Sequence, residues 1–186
     1  DDNSQGGFIV GATTDELFNN KPAPFTIVSY KSHKLPRKCS STLAAEAQSM
    51  SEATAEVEWI RGIFEELTNA DFNITEWQSH CRSRSLLTAA RSKYDDKSLQ
   101  KFLTICDAKS LYDHLNSETC GTASDRRTAI EIQIIRNSLE AQNGIVRWVD
   151  HVGMYADALT KVNGNIPLLQ TLMRTGRCCI TEESLT

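Results

Sequence analysis

Apolar and polar positions alternate with a period near two in two early segments. The first follows the polar opening "DDNSQGG" and runs from Phe8 to about Ala12. The second is "FTIVSYKSHKL", residues 25–35, and Pro36 ends it. Between them "DELFNNKPAP" carries two prolines and reads as a loop, so the pair predicts a hairpin with a long connection. The period then changes. In "SSTLAAEAQSMSEATAEVEWIRGIFEEL", Ser40 to Leu67, a step of about 3.6 residues from Glu46 meets Met50, Ala53, Val57, Ile60, Phe64 and Leu67. Ser40 or Ser41 suits the N-cap of this long amphipathic helix. A carboxylate, Glu46, heads its inward stripe, while Glu52, Glu56, Glu58, Glu65 and Glu66 lie away from the stripe's centre.

Residues 69–100 are mixed and basic at their centre, with a short helix predicted from about Ser83 to Lys93. "KFLTICD" is a continuous apolar run, as in a strand buried on both faces. "AKSLYDHLN" reads as a short helix. "SDRRTAIEIQIIRNSLEAQNG" reads as a second long helix, capped by Ser124 and stopped at Asn143-Gly144. "IVRWVDH" is a further strand and "MYADALTKV" a further helix. The tail from Asn163 to Thr186 contains one more helix in "IPLLQTLMRTG". This order predicts an α/β domain over residues 1–162, its sheet antiparallel at first and parallel once helices supply the crossovers. Trp59 and Trp148 are expected in or near the core.

Composition narrows the class. With 186 residues, 40% of them hydrophobic and 24% charged, the chain suits one soluble domain with an appended tail. No apolar run approaches the roughly 20 residues that span a bilayer, and no signal-peptide pattern opens the chain. An intracellular protein is expected, cytoplasmic or nuclear, with no membrane partner. The net charge of −4 argues against holding nucleic acid by bulk charge. It leaves room for an acidic site that recruits divalent metal. Six cysteines, at 39, 81, 106, 120, 178 and 179, have no finger spacing and read as reduced thiols.

Three acids stand out by position. In an open α/β sheet ligands bind beyond the carboxyl ends of the strands, and Asp107 directly follows "FLTIC". An Asp there also suits the cap of the next helix. Glu46 heads an inward stripe, where a carboxylate is costly unless a cation meets it. The dipole of a helix start favours an acid in the same place. Asp157, in "YADALTK", has the same two readings. Taken jointly, the three make a candidate divalent-metal site.

These residues carry a resemblance. "SYKSHKLPRKCSSTLAAEAQSMSEATAEVEWIRGIFEEL", "CDAKSLYDHL" and "IVRWVDHVGMYADALTK" resemble, in order and spacing, the ribonuclease H domain of copia-type LTR retrotransposon polyproteins. The likeness covers residues 4 to about 162. It implies a ribonuclease H-like mixed sheet flanked by helices. It also implies that Glu46, Asp107 and Asp157 hold two Mg2+ (or Mn2+) ions and hydrolyse the RNA strand of an RNA–DNA hybrid. Two ions about 3.5–4 Å apart activate a water and stabilise the leaving oxygen. Hard oxygen ligands suit magnesium, and a hybrid is read by shape and its 2′-hydroxyls. The implied partners are the hybrid and the reverse transcriptase portion of the same polyprotein.

The pattern departs from the family at its start. The family's first metal Asp lies on an opening central strand, whereas this chain begins at Asp1-Asp2-Asn3, in the turn after it. The first strand and its ligand are therefore expected to be missing, and the chain alone to be at best weakly active. A catalytically inactive relic that keeps the fold as a structural or nucleic-acid-binding module is the alternative. Ala44 also departs from the usual motif, and residues 69–100 form a longer, basic insertion. For phosphate contact the candidates are Lys31, Lys34, Arg37 and Lys38, with Ser40 and Ser41 at the helix start. His151, six residues before Asp157 in "HVG", is a candidate proton shuttle or else a loop residue.

Overall fold

The computed structural model describes residues 4–77, 79, 101–117 and 125–180. The short helix expected at Ser83–Lys93, the cap Ser124 and most of the basic insertion, residues 78 and 80–100, lie outside those residues. What is described is a mixed α/β fold.

The alternating segments form the expected hairpin. Strand β1 (Gln5–Thr13) buries Gly6, Phe8 and Val10 and pairs antiparallel with β2 (Ala23–Lys34). A bulge at Val10/Gly11 skips Val28. The connection holds a single 3-10 turn, Leu17–Asn19, whose Leu17 is buried.

Helix α1 (Thr42–Thr68) starts where the serines predict. Ser41 is the N-cap, and its hydroxyl accepts the Ala44 N–H at 3.1 Å. Its first half buries Ala44, Ala47 and Met50. The stripe does not stay covered, however. Val57 and Ile60 are half-buried, Phe64 is 48% exposed and Leu67 79%. The last turns instead bury Gly62 and Glu65, with Trp77 packed against Gly62. Trp59, expected near the core, is 50% exposed.

Strand β3 (Phe102–Cys106) pairs in parallel with β4 (Gly144–Trp148). Helix α2 (Lys109–Asn116) and helix α3 (Arg126–Ala141) supply the crossover. Asp125 caps α3, accepting the Arg127 N–H at 3.1 Å, and Asn143 turns the chain at φ 53. The run "FLTIC" is buried on both sides, as its continuity predicts. Phe102 and Cys106 join Ala47, Met50, Leu111, Ile132, Ile135 and Leu139 on one face. Leu103 and Ile105 pack on the other face, against Leu17, Ala23, Val149 and Leu172.

Beyond β4 the helix expected over "MYADALTKV" is one turn only, α4 (Asp157–Thr160), preceded by a 3-10 turn at His151–Gly153. Helix α5 (Ile166–Thr175) ends at Gly176, whose φ of 60 suits glycine. It is followed by a short strand, β5 (Arg177–Cys178), paired with Ala23–Pro24. Residues read as a tail thus contribute Leu172, Cys178 and Ile180 to the core.

The sheet does change from antiparallel to parallel, but as two pieces. Among the described residues the order is β1-β2-β5 in one and β3-β4 in the other. Between them lies a cavity of about 290 Å³. Helix α1 forms one wall with Ala53, Val57, Ile60 and Phe64, and Met154, Tyr155 and Leu172 form the other. Of the less covered part of the α1 stripe, Val57, Ile60 and Phe64 face this cavity.

Candidate active site

The three acids come from three separate elements and line one pocket. Glu46 sits in the second turn of α1, Asp107 directly follows β3, and Asp157 opens α4. All three line a cavity of about 130 Å³, together with Gln5–Gly7, Ser49, Thr160 and Lys161.

Local packing explains the meeting. Ser49, one turn beyond Glu46, docks α1 on β1. The Gly7 N–H donates to its Oγ at 3.3 Å, and its hydroxyl donates to the Gly7 carbonyl at 3.4 Å. Gly7 also admits α4, since a Cβ there would lie 2.9 Å from Thr160 Cγ2 and 3.1 Å from Leu159 Cβ. Ser32 of β2 donates to the Leu159 carbonyl at 2.6 Å, fixing α4 from the other side. Asp107 is held by its backbone: the Trp148 indole N–H donates to its carbonyl at 3.0 Å.

The electrostatics are those of crowded anions. Burial, then Asp107, then Asp157 push the Glu46 carboxyl above its ordinary range, against a downward pull from Lys161. Glu46 as a whole is exposed at the pocket mouth, while surrounding protein crowds its carboxyl. Lys161, i+4 from Asp157, places its ammonium on the Asp157 carboxylate. That hydrogen bond leads the upward shift of the lysine, opposed by desolvation and helped by the charges of Asp157, Asp107 and Glu46. The other Asp157 oxygen accepts the Asn165 N–H at 3.1 Å. Cys106, just before Asp107, is no nucleophile, because burial and then the two nearby acids push its thiol up to about 12.

Hard carboxylate oxygens around a shared cavity are the donor set a divalent cation takes. The side chains are not drawn in around an ion, however. Among the described residues no group of three or more His, Cys, Asp or Glu is placed to hold a metal.

The remaining candidates fall elsewhere. His151 is exposed, does not line the pocket, and its Nδ1 lies 2.6 Å from Asp150 Oδ1. Lys31 and Lys34 are exposed on the end of β2 that pairs with Gln5–Phe8, the strand end whose Gln5–Gly7 line the pocket. Lys31 lies 2.9 Å from Glu52. Against the upward pull of burial, hydrogen bonds from Lys31 and His33 hold Glu52 below the usual carboxylate range. Arg37 pairs with Glu131 of α3. Lys38 and Ser40 are exposed, and the Ser41 hydroxyl is taken by the cap. Sequence reasoning passed over Lys161 and Ser49. Spacing could have found both: Lys161 follows Asp157 by one helical turn, and Ser49 follows Glu46 by three residues.

The chain is thus a mixed α/β protein with a carboxylate-lined pocket at the carboxyl end of a parallel strand pair. No family model, no curated protein and no solved structure matches it. No helix among the described residues is long and apolar enough to cross a membrane.

Proposed function

We propose that this chain is a ribonuclease H-type nuclease domain, related to those of copia-type retrotransposon polyproteins, and that Glu46, Asp107 and Asp157 are its metal carboxylates. One observation carries the reading: acids 46, 107 and 157, on three elements, line one pocket, where burial and then Asp107 and Asp157 raise the proton affinity of Glu46. Magnesium bound there would supply the activated water and stabilise the leaving 3′-oxygen of a cut phosphodiester. The chain's own part is placement. Asp107 stands on a strand end fixed by Trp148, and Ser49 and Gly7 lock α1 and α4 against β1. Exposed Lys31 and Lys34, on the end of β2 that pairs with Gln5–Phe8, and exposed Lys38 are the cations we assign to the phosphate backbone of an RNA–DNA hybrid.

The inactive-relic reading has its own support, in the lysine ammonium seated on Asp157. One experiment separates the two. Cleavage of a labelled RNA–DNA hybrid is measured with magnesium, for the chain alone and for a form preceded by an Asp-bearing strand. Magnesium-dependent cutting of the RNA strand by the extended form, lost in Asp107→Asn, supports the enzyme. Hybrid binding without cutting by either form supports the relic. Neither binding nor cutting sinks both.

A further inference from the structure

Residues 163–180 lie beyond the stretch that the resemblance covers, and they close on Asp157. Both carboxylate oxygens of that residue are engaged. Lys161 Nζ sits on Oδ1, and the backbone N–H of Asn165 donates to Oδ2 at 3.1 Å. The lysine side chain is 60% exposed and flexible, whereas the Asn165 amide belongs to tethered backbone. Asn165 is tethered by its own side chain at two points. Its Oδ1 accepts the Leu168 N–H at 3.3 Å and so caps α5. Its Nδ2 donates at 2.7 Å to the carbonyl of Val152, in the 3-10 turn that precedes α4. Gly164 completes the fit, since a Cβ there would collide with the Asp157 carbonyl oxygen and lie 2.7 Å from Ala158 Cα.

The far end of the segment is anchored, so this clasp does not hang from a loose tail. Leu172 and Ile180 are buried in the core, β5 pairs with Ala23–Pro24, and the Phe25 N–H donates to the Gly176 carbonyl at 2.8 Å. Tyr155, two residues before Asp157, ties the segment in again. Its hydroxyl accepts the Cys179 N–H at 3.2 Å and donates to the Cys179 carbonyl at 3.4 Å. Such help is needed at this place. Asp157 opens a helix of a single turn, and one turn alone is a poor platform for aiming a side chain. The Asp157 side chain is only 10% exposed, so water competes little for the Asn165 bond. A carboxylate that accepts one N–H keeps lone pairs free for a cation. Hydrogen-bond partners one step removed from an ion are what orient its ligands.

We infer that Asn165 is a positioning residue for Asp157, holding its carboxylate in the pocket, and that residues 163–180 serve the site by fixing Asn165. This role rests on the reading of Asp157 as a metal carboxylate. The probe is Mn2+ alone, with no nucleic acid. Its binding to the full chain is followed by calorimetry, and the free ion is counted by electron paramagnetic resonance. Asn165→Pro removes the donated N–H, and the φ of −72 at this position is one that proline adopts. It should weaken Mn2+ binding by about tenfold or more. Asn165→Ser keeps the N–H and a capping hydroxyl, and should weaken binding less than Asn165→Pro does. Gly164→Ala keeps every Asn165 group but pushes the turn off Asp157, and should weaken binding as well. In an Asp157→Ala background these differences should vanish, which a general loosening of the fold would not produce. Circular dichroism and the melting midpoint verify that each variant is folded. If Asp157→Ala binds Mn2+ as the wild type does, or the wild type binds none, the metal reading of Asp157 and the role of Asn165 are overturned together. If Asp157→Ala binds more weakly while Asn165→Pro and Gly164→Ala bind normally, the role of Asn165 alone is overturned. A loss of equal size with and without the Asp157 carboxylate overturns it too.

Discussion

The apolar slot between the two sheet pieces and the acidic pocket share strand ends, at Gly7–Phe8 of β1 and at Ile105–Asp107 of β3, yet they are furnished differently. Among the described residues the slot has side-chain walls and no backbone partner, and the pocket has ligand oxygens and one lysine on its lining. The contrast locates the rigid part of the molecule. Strand β3 is completed on both faces, by Phe102 and Cys106 on one side and Leu103 and Ile105 on the other, and on one edge by β4. Asp107 therefore projects from a fixed point, although the neighbouring edge is open.

The largest effect should separate closed core from open slot. Ile135 is fully buried among Met50, Phe102 and Leu139, so Ile135→Ala should cost about 3 kcal/mol of stability through lost contacts and a cavity. Phe64 is larger but half exposed at the slot, and Phe64→Ala should cost less than about 1 kcal/mol. Urea denaturation of both variants checks this. Equal losses would mean that something covers Phe64 in solution.

Next in size is the pocket's own variant. Asp107→Asn keeps shape and removes one hard ligand, and even outer-shell changes at metal sites cost about tenfold to a hundredfold. Magnesium-dependent hybrid cleavage by the strand-extended form should fall by about a hundredfold or more, with stability nearly unchanged because Asp107 is only half-buried. Retained cleavage in this variant would detach the pocket from the activity.

What the sequence disclosed follows from which forces are local. Strand and helix periods, the Ser41 cap and the doubly buried "FLTIC" run depend on neighbours within a turn or two, and all are present in the fold. The candidate acids were legible because each sits at an element end, where chain direction alone sets its layer. Long-range facts were not. Phe64 and Leu67 are exposed, Phe64 at the gap between two sheets, and no helical period reports that. Trp77, which displaced them as the cover of the last turns of α1, reaches there through a bend after Asn69. Arg37 looked free for phosphate, but Glu131, nearly a hundred residues along the chain, takes it.

A smaller, pH-dependent effect tests the crowding of the acids. Burial, Asp107 and Asp157 raise Glu46 above its unfolded carboxyl value, so between those two values the folded chain binds more protons than the unfolded one. Its favourable contribution is present at and below the ordinary carboxylate range, near pH 4.5, and is lost as pH rises through the raised value. Glu46→Gln should therefore melt slightly higher than wild type at neutral pH without metal, the difference closing as pH falls toward the ordinary range. Thermal melts at several pH values check it. Adding magnesium should reverse the order, since only the wild type then gains.

The smallest effect expected belongs to Lys161, and it bears most directly on whether the pocket seeks a cation. Its ammonium sits on Asp157 and feels Asp107 and Glu46, so it occupies ground that a divalent ion would take. In Lys161→Met that counter-charge is gone, the three acids repel more strongly, and Mn2+ should bind more tightly, read by calorimetry without nucleic acid. The lysine side chain is 60% exposed, so water screens its charge and the gain should be only about threefold to tenfold. High salt should shrink the difference further. A variant that binds Mn2+ more weakly would make Lys161 a prop for Asp157 rather than a rival of the metal. Unchanged binding would place the ion away from Asp157 and leave the pocket to Glu46 and Asp107.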